Sequence, residues 1–143
     1  MRVDTFLLAD SAEVVQGGKV TIEGAGITHI HGDSPRFSVE RLTAIARFII
    51  DSSDERTAPY LVAVRWLGPG EIRVAQSSPT QIRPRDHQSR ARLHPDEEHA
   101  IFYIVEMRGM EFEISAVYRL QLLVDGVPVG ERRIATHESL ETD

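Results

Sequence analysis

The stretch VYRLQLLVDGVPVGERRIAT, residues 117–136, decides the fold. Tyr118, Leu120, Leu122 and Val124 are apolar at every second position with Arg119 and Gln121 between them, the period-2 pattern of a half-buried strand. Asp125-Gly126 then supplies the two positive-φ positions of a type I′ turn, so Val127 to Ile134 folds back beside the first strand. A lone hairpin is marginal in water, and the rest of the chain must provide the sheet that it joins.

Working toward the N-terminus, strand patterns recur. Tyr60, Val62, Val64 and Trp66 alternate cleanly, and Trp66, the one tryptophan, is expected to plug the core with its indole N–H partnered there. RFSVERLTAIARFII, residues 36–50, places Leu42, Ala44, Ala46, Phe48 and Ile50 on one face as a strand. A helix competes on propensity, but Ile45, Ile49 and Ile50 favour the extended form. Val3 to Ala9 reads as the first strand and Val20 to Glu23 as its hairpin partner across Gly17-Gly18. The glycines of EGAG mark a bulge or close backbone approach before Ile27 to His31. His99 to Met107 is apolar on both faces, which predicts a central strand or a subunit contact, with a bulge at Gly109. Short strands broken by Gly and Pro turns predict an all-β fold: a single antiparallel β-sandwich of about eight strands over residues 1–136, then an acidic tail over 137–143.

Composition narrows the function. Hydrophobic content of 41% with 27% charged residues fits one soluble domain, and no window approaches the ~18 apolar residues of a membrane helix. MRVDTFLLAD has too short an apolar run for a secretion signal, so the reading is a cytoplasmic protein. Zero cysteines exclude disulfides, thiolate nucleophiles and cysteine-ligated zinc. A net charge of −6 argues against nucleic-acid binding, which needs a clustered positive surface.

The opening VDTFLLADSAEVVQGGKVTIEGAG and the closing YRLQLLVDGVPVGERRI resemble an uncharacterised bacterial family of small domains of unknown function. Its members have a first strand ending in LLAD, a Gly-rich second strand and a tyrosine-led VDG hairpin. The resemblance implies an Ig-like sandwich and brings no catalytic residue, cofactor or substrate with it. The chain departs from the pattern at EISAV, residues 113–117, where a Pro-Gly turn is expected before the tyrosine.

Few residues are chemically suggestive. His29 and His31 share a strand face and Asp33 follows, a weak metal-ligand pattern; His87, His94, His99 or His137 could complete it, and the plain reading is a polar strand end. Asp51, Asp54 and Glu55 form an acidic turn that could take calcium, although three carboxylates in one polar turn are more often simply solvated. Ser77 to Glu97 lacks periodicity and carries Arg83, Arg85, Arg90 and Arg92, forks suited to an acidic partner; a solvated loop explains the composition as well. With no nucleophile elbow, Walker loop or dinucleotide fingerprint, the leading expectation is a non-enzymatic binding or assembly module without cofactor. Its partner is another protein or its own copy in a homodimer, reached through weakly defended edges near Ile72 and Ile101. The alternative is a metal-dependent enzyme or metal-binding protein using His29 and His31.

Overall fold

A computed structural model describes residues 1–17, 19–51, 53–83 and 97–140. It is all β apart from a short 3-10 turn at Pro69–Glu71, and the described residues form eleven strands rather than about eight. In chain order these are β1 (Arg2–Ala9), β2 (Ser11–Val14), β3 (Val20–Glu23), β4 (His29–Gly32), β5 (Arg36–Asp51), β6 (Tyr60–Leu67), β7 (Arg73–Gln76), β8 (Thr80–Ile82), β9 (Glu98–Glu113), β10 (Val117–Val124) and β11 (Val127–Glu138). β11 thus runs two residues into the stretch read as a tail. β8 lies in the stretch read as aperiodic.

Two sheets pack as a sandwich. The smaller has the order β1-β5-β9, and the larger β4-β11-β10-β6-β7 with β8 also on β6. The hairpin at Asp125-Gly126 forms as expected, with φ of 52° and 79° and Val124 opposite Val127. Asp125 also reaches sideways: its carboxylate accepts the Leu61 N–H at 3.0 Å and the Arg56 guanidinium at 2.6 Å, tying the turn to the start of β6. Trp66 is 1% exposed. Its N–H finds Met107 Sδ at 3.0 Å, a weak acceptor that still spares the donor from being buried unpaired. Leu42, Ala44, Ala46 and Phe48 of β5 face inward toward Val62, Val64, Leu120, Leu122 and Ile134, so the extended reading of residues 36–50 holds.

Four expectations need correction. β1 does not pair with β3. It lies antiparallel to β5, and β2 and β3 form their own small ribbon. Alternation shows which face a strand buries but not which strand it sits beside. The sandwich is not wholly antiparallel, since β4 runs parallel to β11 from His29–Ala135 to Gly32–Glu138.

β9 is an edge strand, not a central one: β5 is its one neighbour among the described strands. Its second apolar face, with the half-buried Phe102 and Ile104, stands beside Arg47 and the fully buried Ile45 on the side of the small sheet away from the main core. Nor does Gly109 insert an extra residue, for the register holds on either side of it in the pairs Arg41–Arg108 and Val39–Met110. What changes is the face. Inward residues pass from Leu42 to Val39 in β5 and from Met107 to Met110 in β9, an odd step in both strands, so the paired ribbon turns over at Glu40 and Gly109. Gly109 takes the positive φ of 65° that this twist requires.

The overturned end carries Phe112 into the core, edge-on to Trp66 at 5.4 Å and to Tyr118 at 4.9 Å. The EISAV corner that follows puts Ser115 at φ 57°, the conformation that a glycine would hold more easily. The corner is fixed by two buried side chains. The Tyr118 hydroxyl accepts the Glu113 N–H at 2.8 Å, and Thr136 Oγ1 donates to the Glu113 carbonyl at 2.5 Å while accepting the Ala116 N–H.

Candidate functional site

The parallel pairing of β4 with β11 brings together three of the histidines in the sequence. Ile30 is buried, so its neighbours His29 and His31 both face solvent, and β11 delivers His137 to the position opposite His31. His29 Nδ1 and His137 Nε2 are 3.0 Å apart, and the His31 ring lies 5.5 Å from that of His137, centre to centre. All three are exposed. Asp33 and His31 border one open cleft together with Ser34 and Glu111. Sequence reading named His29 and His31, but held His137 as one of four candidates for a further ligand, because a contact across 108 residues leaves no local trace.

The second candidate is the seam between the two sheets. On one side of the sandwich β1 approaches β11, with Phe6 lying over Gly130 so closely that a methyl group there would crowd the ring. On the other side the edge of β9 faces β7 and β8. Ser77 Oγ and Tyr103 Oη, 3.4 Å apart, link the rims, and burial pushes the Tyr103 hydroxyl above its ordinary pKa. Two open clefts mark the rest of the seam. One is bordered by Thr80 to Arg83 of the β8 segment and Ile101 to Ile104 of β9, the other by Pro69, Ile72, Val74, Phe112 and Tyr118 with Arg36 and Glu113. Ile72 is 69% exposed and Val74 47%, both on the unpaired side of the large sheet. Arg83 is exposed on this rim, its guanidinium near Gln81 Oε1. Arg85, Arg90 and Arg92 lie outside the described residues.

Against this geometry one family model matches. It covers residues 4–136 and is described as a family of unknown function (DUF6941). The chain belongs to that family. No curated protein matches it. The DUF6941 match spans β1 through most of β11, and so takes in β4, β9 and the whole seam.

Elsewhere in this DUF6941 chain several charged groups are engaged in structure. The acidic turn is one case, where Asp54 turns inward and its carboxylate takes the Met1 ammonium at 2.8 Å, the Tyr60 hydroxyl at 3.1 Å and the Arg56 N–H at 3.1 Å. Burial works against its ionisation, yet these donors hold the carboxyl below the usual carboxylate range. Asp51 is lowered by the hydroxyl and N–H of Ser53, and ion-pairs with Arg2 at 3.8 Å. Among the described residues no three His, Asp or Glu side chains stand ready around one point. The outer face of the large sheet carries a polar ladder: Arg65 donates to Gln121, Gln121 to Glu131, and Arg119 bridges Glu131 and Glu71. A face so internally satisfied offers little to a partner. Among the described residues no helix is long and apolar enough to cross a membrane.

Proposed function

We propose that this chain is a non-enzymatic assembly module, an Ig-like β-sandwich that pairs with a second copy of itself along the edge of β9. The strand order supports the Ig-like reading. β1, β5 and β9 follow immunoglobulin strands A, B and E, while β11, β10, β6 and β7 follow G, F, C and C′. Tyr118, near the start of β10, reaches back five residues to the Glu113 N–H in the manner of the tyrosine corner at strand F. Trp66 then stands on the strand-C equivalent. Leu120, two residues beyond the tyrosine and directly opposite Trp66, fills the place where such domains carry their second core cysteine.

The observation that carries the assembly reading is the outer edge of β9. At 16 residues it is a long strand that pairs with β5 alone among the described strands, and it lies next to clefts with apolar walls. Such an edge templates pairing with another strand, and two copies related by a two-fold axis satisfy each other antiparallel without leaving a new edge. The Ala100, Phe102 and Ile104 face then continues from one copy to the next beside the Ile45 row. A standard interface needs ~800 Å² from each partner, which one long strand and its flanking side chains can supply. Light scattering at micromolar concentration should give twice the chain mass, and the Phe102→Lys, Ile104→Lys pair should return it to one chain mass with unchanged circular dichroism. A single-chain mass that persists through a tenfold rise in concentration overturns the proposal.

A further inference from the structure

We propose that His29, His31 and His137 form a binding site for a divalent transition-metal ion of the zinc class. The decisive measure is the gap between His29 Nδ1 and His137 Nε2, 3.0 Å. Two nitrogens on a tetrahedral zinc ion stand about 3.3 Å apart, given bonds of about 2.0–2.1 Å. The facing pair is therefore within a few tenths of an ångström of a chelating separation, and rotation of the two exposed rings turns their lone pairs from each other toward one ion. As a hydrogen bond the pair needs one ring to donate and the other to accept. Metal capture takes both lone pairs, and the donor ring shifts its proton to its other nitrogen through solvent.

The third ligand follows from the strand geometry. His31 is two residues from His29 on the same outward face and lies across the register from His137, with its ring 5.5 Å from that of His137. The three rings are not preset around one point. His31 is exposed, and its ring swings toward the pair when the ion enters. The fourth position of a tetrahedral ion falls to water or to Asp33, which borders the same cleft as His31. Imidazole donors select zinc, copper, nickel or cobalt and discriminate against magnesium and calcium, whose preferred ligands are oxygen. The backbone of the site is two hydrogen-bonded strands, so binding costs little ordering beyond the rings themselves.

Untagged protein titrated with cobalt(II), followed by its visible absorption, and with zinc by calorimetry tests the site. One equivalent should bind, and His29→Ala and His137→Ala should each weaken it about tenfold or more, a loss of at least ~1.4 kcal/mol. His31→Ala should abolish the tetrahedral cobalt spectrum, and His99→Ala, on β9, should leave both readouts unchanged. Since a bound ion bridges β4 and β11, zinc should also raise the melting temperature of the wild type and not that of His137→Ala. No binding up to about 1 mM metal overturns the proposal, as does binding that the His29→Ala, His137→Ala double variant retains in full.

Discussion

Trp66→Ala is expected to destabilise the domain by about 3–5 kcal/mol, the range for emptying a buried aromatic site. The side chain is 1% exposed and meets the edge of Phe112 at 5.4 Å, which in turn meets Tyr118 at 4.9 Å. These rings link three segments: β6, the overturned end of β9 and the start of β10. Alanine removes the indole from one end of this stack and leaves Met107 without its N–H donor. Strands fixed by their own ladders cannot close the void, so most of the transfer and cavity terms persist. The variant has no tryptophan, and its urea unfolding is therefore followed by circular dichroism. A loss below about 1 kcal/mol would mean that the aromatic stack does not hold these segments together.

Asp54→Ala ranks next. The Asp54 carboxylate holds the part-buried Met1 ammonium at 2.8 Å and the Arg56 N–H at 3.1 Å, so deleting the acid takes this acceptor from both. Leaving part-buried donors without their acceptor costs about 1–3 kcal/mol. The same pair sets an acid limit. The folded Asp54 carboxyl titrates below the usual carboxylate range, so the unfolded chain takes up its proton first as the pH falls. Its contribution is complete above the unfolded value of about 4 and disappears as the pH drops through the lower folded value. Asp51 and Asp125 shift in the same direction, Asp51 through Ser53 and Asp125 through Arg56, but both are solvent-screened and add little. Urea midpoints measured between pH 7 and pH 3 should hold level to about pH 5 and then fall, with a shallower fall in Asp54→Ala. Equal acid slopes in the two proteins would remove Asp54 from this role.

Local chemistry foretold what local chemistry controls. Asp125-Gly126 forms its turn because only those two positions take positive φ at little cost, and Trp66 is buried because the alternation around it points one way. Residues 36–50 are extended because β-branched side chains outweigh the helix formers among them. Partner choice is another matter. The apolar face of β1 would suit β3 as well as β5, and nothing within either strand separates the two. The pattern of His99 to Met107 suits a central strand because Ile104 and Phe102 are apolar, yet they belong to a row that continues in β5 through the buried Ile45, away from the main core. The turnover at Glu40 was hidden for a related reason. It occurs in two strands at once, and an odd step in one strand is uninformative until the other is seen beside it. His137 was unreadable because its meaning comes from a parallel neighbour at the far end of the chain.

That neighbour bears on how the chain acquires its structure. β4 is in place on the larger sheet only once β11 is beside it, and 108 residues separate His29 from His137. Closing so long a segment carries an entropic cost that local hairpins do not face, and rates fall as such distant pairings come to dominate a topology. β10 pairs with β11 across a two-residue turn, whereas β4 depends on residues 135–138, distant in the sequence. The β11 edge that β4 covers is open to other strands until this distant pairing forms.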